Sequence, residues 1–320
     1  MTTMEASPKE LANTLLNATA QIIKGKASFL ENMVCAMVAG GHVLLDDMPG
    51  TGKTSVAKTM AKLIGNERNK PLDFKRIQFT PDLLPYDITG VDIYNPEKKT
   101  FTFSKGPVFA HIVLADEINR TTPKVQSALL EVMAEQQVSS GTKTHQLPEP
   151  FIVIATQNPI DSEGTWHLPE AQLDRFMMKL SLGYPSREAE LSILQDDPSN
   201  KTLPKLKPCL TLKSFLALKK KVDTVHCSPE LMGALADIVR MTRNHPAVRT
   251  GASPRAGLHY LKAIKAKALI RGRDYVTDQD LEDLAIPCLA HRIRLKDASH
   301  TPEQLIRELL LEQLKAFTPS

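Results

Sequence analysis

The sequence predicts a doubly wound α/β core with a parallel sheet, followed by a smaller all-helical domain. Short apolar runs typical of buried parallel strands recur along the first part of the chain, at 42–45, 76–79, 112–115, 151–155 and 180–182. Segments with helical apolar spacing lie between them, such as the one that carries Val56, Met60 and Leu63. Strands that alternate with helices favour an α/β core over a purely helical or purely β fold.

The last third of the chain carries repeated signals for the start of a helix. In each, a hydroxyl N-cap precedes a proline at the first helical position, as in Ser228-Pro229, Ser253-Pro254 and Thr301-Pro302. Thr277 followed by Asp280 is predicted to form a capping box. These signals predict a small helical bundle.

The predicted boundaries follow from changes in composition. We place the core at 1–195, a linker rich in Pro, Lys, Asp and Ser at 196–208, and the helical domain at 209–320. Two β-hairpins are expected inside the core, one near 90–104 and a polar one at 138–147. Helical spacing from 11 to 40 predicts a helix that Gly40 and Gly41 terminate.

Composition limits the classes of partner. The chain has 320 residues, 42% of them hydrophobic and 24% charged, which describes a globular protein. Only 5% are aromatic, which argues against platforms for stacking nucleic-acid bases. The net charge of +4 comes from interspersed charges without a basic arm, so nucleic acid is not the expected partner.

Cysteine spacing and hydropathy indicate the cellular compartment that we expect for the protein. Cys35, Cys209, Cys227 and Cys288 lie far apart without a CxxC pair, which predicts buried thiols rather than zinc ligands or disulfides. Residues 1–9 lack the pattern of a signal peptide, and charges interrupt every apolar stretch before it could span a bilayer. We therefore expect no membrane span and a cytoplasmic location.

A glycine-rich loop between a predicted strand and helix carries the clearest chemistry. Its sequence is Met48-Pro49-Gly50-Thr51-Gly52-Lys53-Thr54, the end of the GxxxxGK[ST] pattern. Glycines let backbone N–H groups converge on phosphate oxygens, and the following helix adds its positive dipole end. We assign residues 48–55, including Ser55, to ATP or ADP, with Lys53 on the β- and γ-phosphates and Thr54 on Mg²⁺.

One position departs from that pattern. Asp47 stands where the first glycine is expected. A carboxylate beside a polyanion is unfavourable unless it turns away from the loop, and Asp47 lies at the end of the predicted strand.

Two acidic residues end the predicted strand at 112–115. Asp116 would lie where the second shell of Mg²⁺ belongs, and Glu117 would polarise the attacking water. Asn158 closes the strand that begins at Phe151, at the carboxyl edge where ligands bind. It could orient the same water, but on the residues alone an Asn-Pro turn with Pro159 is favoured.

Two arginines are candidates for phosphate contacts. Arg175 follows Asp174, so a local ion pair between them is the plain alternative. Arg255 occupies the first turn of a helix, where a cation opposes the helix dipole. We expect an anion such as a phosphate to compensate Arg255.

These motifs together resemble the MoxR family of AAA+ ATPases over residues 40–295. The resemblance includes Gly41-His42-Val43-Leu44-Leu45, Phe79-Thr80-Pro81-Asp82-Leu83-Leu84-Pro85, Ala115-Asp116-Glu117-Ile118-Asn119-Arg120, Ala155-Thr156-Gln157-Asn158-Pro159, Leu168-Pro169-Glu170-Ala171-Gln172-Leu173-Asp174-Arg175-Phe176 and Gly251-Ala252-Ser253-Pro254-Arg255. His167 departs from it, since the family commonly has proline there.

The resemblance implies an AAA+ αβα core with a helical lid, and ATP bound between the two and between neighbouring subunits. It makes Asn158 sensor 1, Arg255 sensor 2 and Arg175 the arginine finger, with Arg120 as a rival. The hairpins become the helix-2 and pre-sensor-1 insertions. The segment 22–25, and Ile23 in particular, would flank adenine.

The function so predicted is Mg²⁺-dependent ATP hydrolysis by a ring, with six subunits expected. A chaperone-like role follows from the resemblance, in activating or remodelling partner proteins that often carry a von Willebrand factor A domain. Two other classes stay open. One is a nucleotide-gated scaffold without hydrolysis. The other is a DNA-acting motor, because related AAA+ clades include helicases and Lys143 lies in the second hairpin.

Overall fold

A parallel sheet forms the centre of the protein, as the alternation of strands and helices predicts. The computed structural model describes residues 6–48, 50–97, 99–158, 165–297 and 300–315. Within them the strands are β1 (Val43–Asp46), β2 (Ile64–Gly65), β3 (Phe74–Gln78), β4 (Gly90–Asn95), β5 (Thr100–Lys105), β6 (Ile112–Asp116), β7 (Gln137–Ser140), β8 (Lys143–Gln146), β9 (Ile152–Gln157), β10 (Met178–Leu180), β11 (Leu210–Thr211), β12 (Val248–Thr250) and β13 (Arg294–Leu295). The central sheet has the order β10-β1-β9-β6-β3, with every pair parallel.

Helices cover both faces of this sheet. The α-helices of the described residues are α1 (Pro8–Ala20), α2 (Ala27–Val38), α3 (Lys53–Leu63), α4 (Pro85–Thr89), α5 (Pro123–Glu135), α6 (Glu170–Leu173), α7 (Arg187–Asp196), α8 (Leu212–Lys221), α9 (Pro229–Asn244), α10 (Pro254–Ile270), α11 (Asp278–Leu289) and α12 (Pro302–Lys315). None of those described has both the length and the apolar character that a membrane crossing requires.

Side chains of the central strands alternate between two hydrophobic clusters, because successive residues of a strand point to opposite faces. Val43 and Leu45 join the cluster formed with α1, α2, α3 and the helices after α8. Leu44 joins the cluster that contains α5. Burial on both faces explains why β1, β6 and β9 are nearly continuous apolar runs.

The N-terminal segment corrects the sequence prediction of one helix from 11 to 40. It forms two helices, α1 and α2, separated by residues 21–26. Gly25 adopts φ +69° in this break, a left-handed conformation that glycine tolerates at little cost. Apolar spacing continues through the break because both helices pack on the same cluster.

The last strand of the sheet is also displaced from its predicted position. The sequence placed it at 180–182, whereas β10 ends at Leu180, which pairs with Leu45. Ser181, Leu182 and Gly183 instead hydrogen-bond to the carboxylate of Asp47. These bonds divert the chain from the sheet ladder.

Both hairpins form and contact each other. In the first, β4 pairs with β5, and in the second, β7 pairs with β8. Ser140 Oγ donates to Asp92 Oδ2 at 2.6 Å. The imidazole of His145 stacks on Phe103 with ring centroids 4.1 Å apart. The two hairpins are thereby joined through side chains.

The C-terminal helices begin where the sequence predicted. The hydroxyls of the N-cap residues accept from the backbone N–H three residues on, as seen for Ser228, Ser253 and Thr301. Asp280 accepts from the backbone N–H of Thr277 at 3.0 Å, which is one half of the predicted capping box.

The segment predicted as a linker, 196–208, is partly helical. It contains helical turns at Pro198–Thr202 and Leu203–Lys205, and Leu203 is buried. After it, β11 pairs with β2 of the core. The domain boundaries at 195 and 209 stay predictions of the sequence, since one hydrophobic cluster extends from the N-terminal helices into the lid.

Candidate functional site

Three neighbouring strands end at one edge of the sheet and bring the candidate residues together. Asp46 at the end of β1 pairs with Gln157 at the end of β9, and Ala155 of β9 pairs with Ala115 of β6. The glycine loop follows β1, Asn158 follows β9, and Asp116 ends β6. The carboxyl ends of parallel strands are the common position for ligands in such sheets.

The loop after β1 has the backbone that phosphate binding requires. Gly50 has φ +84° and Gly52 has φ +98°, so any other residue at either position would be strained. Helix α3 begins directly at Lys53, which turns its unpaired N–H groups toward the loop. Pro49, one of the residues assigned to the nucleotide, lies outside the described part of the chain.

Lys53 folds over this loop. Its ammonium donates hydrogen bonds to the backbone carbonyls of Asp47, at 2.6 Å, and of Met48, at 3.2 Å. The hydroxyl of Thr51 also donates to the Met48 carbonyl, at 3.1 Å. The positive charge is therefore held at the mouth of the loop.

Asp47 turns away from the loop. Its carboxylate accepts from Ser181 Oγ at 2.7 Å, from the Leu182 N–H at 2.6 Å and from the Gly183 N–H at 2.9 Å. The residue is only 5% exposed. Its presence in place of the first glycine thus adds no charge to the phosphate-binding face.

A cavity of about 330 Å³ opens beside the loop. One wall is the break between α1 and α2, where Ile22 and Ile23 are buried. Residues 182–185 and residues of the C-terminal half of α7 also line the cavity. Ser55 lines the cavity too, and its hydroxyl lies 2.9 Å from that of Ser199. The structure therefore places Ile23 beside the same cavity as Gly50, Thr51 and Gly52.

A larger cavity, about 600 Å³, lies between the start of α2, β10 and α11. It does not include the glycine loop, and it holds the ion pair between Asp46 and Lys179. The smaller cavity is the better fit to a nucleotide, because a phosphate loop and an apolar wall meet there.

The two acidic residues after β6 are linked by one hydroxyl. Asp116 is 8% exposed, and its Oδ1 accepts from Thr156 Oγ1 at 2.6 Å. The same Thr156 oxygen accepts from the backbone N–H of Glu117 at 2.9 Å. Thr156, which is fully buried, therefore fixes the aspartate and the backbone of the glutamate relative to each other.

Side chains from β3 hold the carboxylates of this pair. Arg76 donates to Asp116 Oδ2 from Nη2 at 2.7 Å and from Nε at 3.0 Å. Gln78 Nε2 donates to Glu117 Oε2 at 2.7 Å. Glu117 itself has φ +57°, a conformation rare for residues with a side chain and frequent at functional sites.

Sequence reasoning did not identify Arg76, Gln78 or Thr156. For Thr156 the sequence does carry a signal. It is a polar residue on an otherwise apolar strand, two positions before Asn158. Arg76 and Gln78 alternate with Ile77 as an exposed strand face would.

Asn158 is 8% exposed at the end of β9. Its backbone carbonyl accepts from Asn119 Nδ2 at 3.4 Å, which ties it to the turn after Glu117. The alternative reading of Asn158 as an Asn-Pro turn involves Pro159, which lies outside the described residues.

The candidate arginines differ in their surroundings. Arg120 Nε lies 3.4 Å from Glu117 Oε2, so this guanidinium pairs with the acidic residue directly after β6 in the same chain. Arg175 is half-buried, and its guanidinium makes no hydrogen bond or ion pair with the part of the chain that the structure describes. The local ion pair of Arg175 with Asp174, considered from the sequence, does not form, because Asp174 is bound elsewhere.

Asp174 is bound by the lid. Its carboxylate accepts from Ser253 Oγ at 2.9 and 2.8 Å and from Arg292 Nε at 2.9 Å. Arg255 Nη1 approaches to 3.9 Å. Asp174 of the core is thus the carboxylate nearest to Arg255 among the described residues.

The partly buried His259 and the buried His291 complete this contact between core and lid. His259 Nδ1 lies 2.8 Å from Arg292 Nη2, and burial together with the charge of Arg292 lowers the pKa of His259 to about 3. His291 Nε2 lies 3.2 Å from the carbonyl of Phe176, and burial holds its pKa well below the usual value. Both rings are therefore neutral at pH 7.

The residues proposed for Mg²⁺ are suited to a cation held jointly with phosphate. Thr54 lies in the first turn of α3, and Asp116 ends β6. In the described ranges no group of three His, Cys, Asp or Glu side chains is placed to hold a metal on protein ligands alone. A divalent cation here would need phosphate oxygens to complete its shell.

A parallel sheet of this order, with a phosphate loop after β1 and a helical lid beyond β10, is the architecture of AAA+ ATPases. The family model "ATPase family associated with various cellular activities (AAA)" matches residues 42–178, and the model "AAA lid domain" matches residues 240–309.

Similar proteins narrow this class. YeaC of Bacillus subtilis, an uncharacterized protein, is 45% identical over 294 residues, which cover 91% of this chain and 90% of YeaC. Chaperone MoxR1 of Mycobacterium tuberculosis is 42% identical over 284 residues, which cover 86% and 73%. A crystal structure of a protein from Cytophaga hutchinsonii assigned as an ATPase superposes with a TM-score of 0.84 at 37% identity, over 94% of each chain. The chain belongs to the MoxR family of AAA+ ATPases.

Proposed function

We propose that the protein is a Mg²⁺-dependent ATPase that works as a ring and remodels or activates partner proteins. The observation that carries the proposal is the acidic pair Asp116 and Glu117, joined through Thr156 at the sheet edge where the phosphate loop begins. A pair placed in this way serves hydrolysis rather than nucleotide binding alone, which argues against a non-hydrolysing scaffold.

Each residue has a role in the proposed reaction. Backbone N–H groups of the loop and Lys53 would bind the β- and γ-phosphates, and Mg²⁺, held by Thr54 and through water by Asp116, would neutralise charge on them. Glu117 would accept a proton from the attacking water, and Asn158 would orient that water. The base would lie in the cavity beside Ile23, with Ser55 lining its other side.

The proposal of a ring depends on the surroundings of the candidate arginines. Arg175 is available to contact a neighbouring subunit's γ-phosphate, whereas Arg120 is occupied by its own Glu117. We therefore propose Arg175 as the arginine finger and Arg255 as sensor 2, in a ring of six. The name of the mycobacterial relative supports a chaperone-like role. A client with a von Willebrand factor A domain and a cytoplasmic location remain proposals from the sequence.

The Glu117→Gln variant tests hydrolysis. We expect it to bind ATP with wild-type affinity and to release phosphate about 10²–10⁴ times more slowly, the range for loss of a general base. Lys53→Ala is the matched control, because it should lose nucleotide affinity as well. Wild-type phosphate release by Glu117→Gln would disprove the assignment.

The same variant tests the ring. When Glu117→Gln subunits are mixed into wild-type protein, shared sites should trap ATP and slow their neighbours. The rate should then fall more steeply than the wild-type fraction. A linear decrease would show that the subunits hydrolyse ATP independently.

A further inference from the structure

The side chain that departs from the phosphate-loop pattern, Asp47, accepts three hydrogen bonds through its carboxylate. All three donors to the Asp47 carboxylate belong to one turn, formed by Ser181, Leu182 and Gly183. Two of them are backbone N–H groups, so the bonds fix the path of the chain and not merely one side chain. Hydrogen bonds to a carboxylate are shorter and stronger than those between neutral groups.

This turn forms part of the nucleotide cavity. Leu182 and Gly183 line it, and Leu182 Cδ2 would lie 3.9 Å from a β-carbon placed on Gly52. Gly183 has φ +59°, so the turn has a special backbone conformation that its bonds must hold. Tyr184 and Pro185 continue the same wall.

A second anchor holds the wall from the opposite side. Lys26 Nζ donates to the backbone carbonyl of Tyr184 at 2.6 Å. Lys26 belongs to the break between α1 and α2, which also contains Ile23. The wall is thus attached at one end to the residue before the phosphate loop and at the other to the segment proposed to flank the base.

We propose that Asp47 is a positioning residue for the base and ribose. It holds the turn at 181–183 at a fixed distance from the phosphate loop, so that a nucleotide bound by its phosphates finds the base wall already in place. The inference rests on the proposed function, because it requires that the cavity takes a nucleotide. A rigid support for contact residues raises affinity by lowering the cost of ordering them.

The proposal separates two parts of the ligand. Loss of Asp47 should release the wall and weaken contacts to the base and ribose, while the backbone N–H groups of the loop and Lys53 still bind phosphate. Asp47→Asn places an amide N–H₂ where a carboxylate oxygen accepts a backbone N–H. Asp47→Gly restores the usual glycine of the pattern but removes all three bonds. Ser181→Ala removes only one bond.

Calorimetric titration with ADP and with pyrophosphate tests this separation. For Asp47→Asn and Asp47→Gly we expect the Kd for ADP to rise about tenfold or more, the effect of losing charge-assisted hydrogen bonds. The Kd for pyrophosphate should stay within about twofold of wild type. Ser181→Ala, the milder variant, should weaken ADP binding about threefold and leave pyrophosphate binding unchanged.

Three results would overturn the proposal: ADP binding by Asp47→Gly as tight as wild type, equal losses for ADP and pyrophosphate, or an unchanged Kd for ADP in Ser181→Ala. The last keeps the test decisive if the Asp47 variants do not fold. Failure of the proposed function is a different outcome, since wild-type protein would then not bind ADP, or would bind it no worse after Lys53→Ala.

Discussion

The hydroxyl of Thr156 makes two hydrogen bonds through one oxygen atom. It donates to Asp116 Oδ1 and accepts from the N–H of Glu117, and Glu117 is held in a left-handed conformation. Such a conformation costs about 1–2 kcal/mol for a residue with a β-carbon. The hydrogen bond to Thr156 is one of the contacts that compensate this cost and keep the glutamate at its position.

We expect Thr156→Val to reduce kcat about 10–100-fold with little change in KM, because a small displacement of a catalytic group is costly while phosphate contacts remain. Thr156→Ser should restore most of the rate. Steady-state phosphate release measures both parameters.

The control for Thr156→Val is Thr19→Val. Thr19 is equally buried, and its hydroxyl donates to the Leu15 carbonyl at 2.7 Å, within α1. The two variants should lose comparable stability, about 1–3 kcal/mol, but only the first should slow hydrolysis. An equal loss of kcat in both would mean that Thr156 acts through stability alone.

Asp174 shows that residues adjacent in sequence need not be partners in the folded protein. Its partner is not Arg175, the next residue, but Ser253 and Arg292, which are 79 and 118 positions away. Successive residues around a helix end point in different directions, so adjacency in sequence does not place two side chains together. The consequence is a polar contact between core and lid next to the proposed arginine finger.

At the scale of elements, the break between α1 and α2 forms one side of the nucleotide cavity. Gly25 lies in this break with φ +69°, and a β-carbon placed on it would be 2.8 Å from the β-carbon of Ala189 in α7. Residues of α7 also line this cavity. The two elements therefore approach each other closely beside the cavity.

We expect Gly25→Ala to weaken ADP binding several-fold, because α7 must move away from the break. It should also lower the free energy of unfolding by about 1–2 kcal/mol through backbone strain. Titration with ADP and urea unfolding provide the two measurements.

Gly233→Ala is the matched control for Gly25→Ala. Gly233 lies in α9 with no heavy atom within 4 Å of an added β-carbon, so alanine should stabilise the helix by about 1 kcal/mol and leave ADP binding unchanged. Unaltered ADP affinity in Gly25→Ala would show that the contact with Ala189 does not set the cavity.

The two hairpins form a second unit at this scale. Asp92 with Ser140 and Phe103 with His145 connect them, although 30 or more residues of chain separate the members of each pair. As inert decorations they would have no reason to share polar and aromatic contacts. Their contact favours movement as one body over independent movement.

At the scale of the whole molecule, a network of ion pairs joins the lid to helix α2. Lys267 is buried and lies within 3.4 Å of Glu31 in α2 and 3.2 Å of Asp283 in α11. Arg271 binds Glu31 at 2.7 Å and Asp283 at 2.9 Å. Removal of Glu31 would take one of two carboxylate partners from the buried Lys267 and from Arg271, which is destabilising.

Two histidines with lowered pKa values make the stability of the fold sensitive to acid. Burial lowers the pKa of His42 to about 4, and the pKa of His259 to about 3. His42 accepts from the Val153 N–H through Nδ1, so protonation there would break the bond. Since both pKa values lie below the value of 6.5 for an unfolded chain, the unfolded state binds more protons in acid.

We therefore expect the contribution of these two histidines to the free energy of unfolding to be fully present above pH 6.5. It should be lost as the pH falls towards 4 for His42 and towards 3 for His259. Each of the two histidines contributes up to about 1.4 kcal/mol per pH unit in that window. Urea unfolding from pH 7.5 to 4.5 measures the slope. His259→Gln, which keeps an acceptor for Arg292, should flatten it.

The control for His259→Gln is His226→Gln, because the His226 side chain is exposed. This substitution should leave the dependence on pH unchanged. Parallel stability curves for wild type and His259→Gln would contradict the role assigned to burial of His259.

Much of the fold was predictable from local pattern. The apolar runs of β1, β6 and β9 and the caps of Ser228, Ser253 and Thr301 depend on residues close in sequence. Two predictions were wrong where a distant contact intervened: the single N-terminal helix and the strand at 180–182. In each case a partner from another part of the chain altered the local preference.

The sequence by itself determined the phosphate loop, the acidic pair and the order of strands and helices, because these depend on backbone conformation and apolar periodicity within short windows. Only the tertiary structure decided where Asp47 points, what holds Asp116 and Glu117, and which residues Asp174 binds. Those contacts join residues that are 39 to 136 positions apart, and hydrogen-bond geometry at such separations exists only once the sheet has brought the strand ends together.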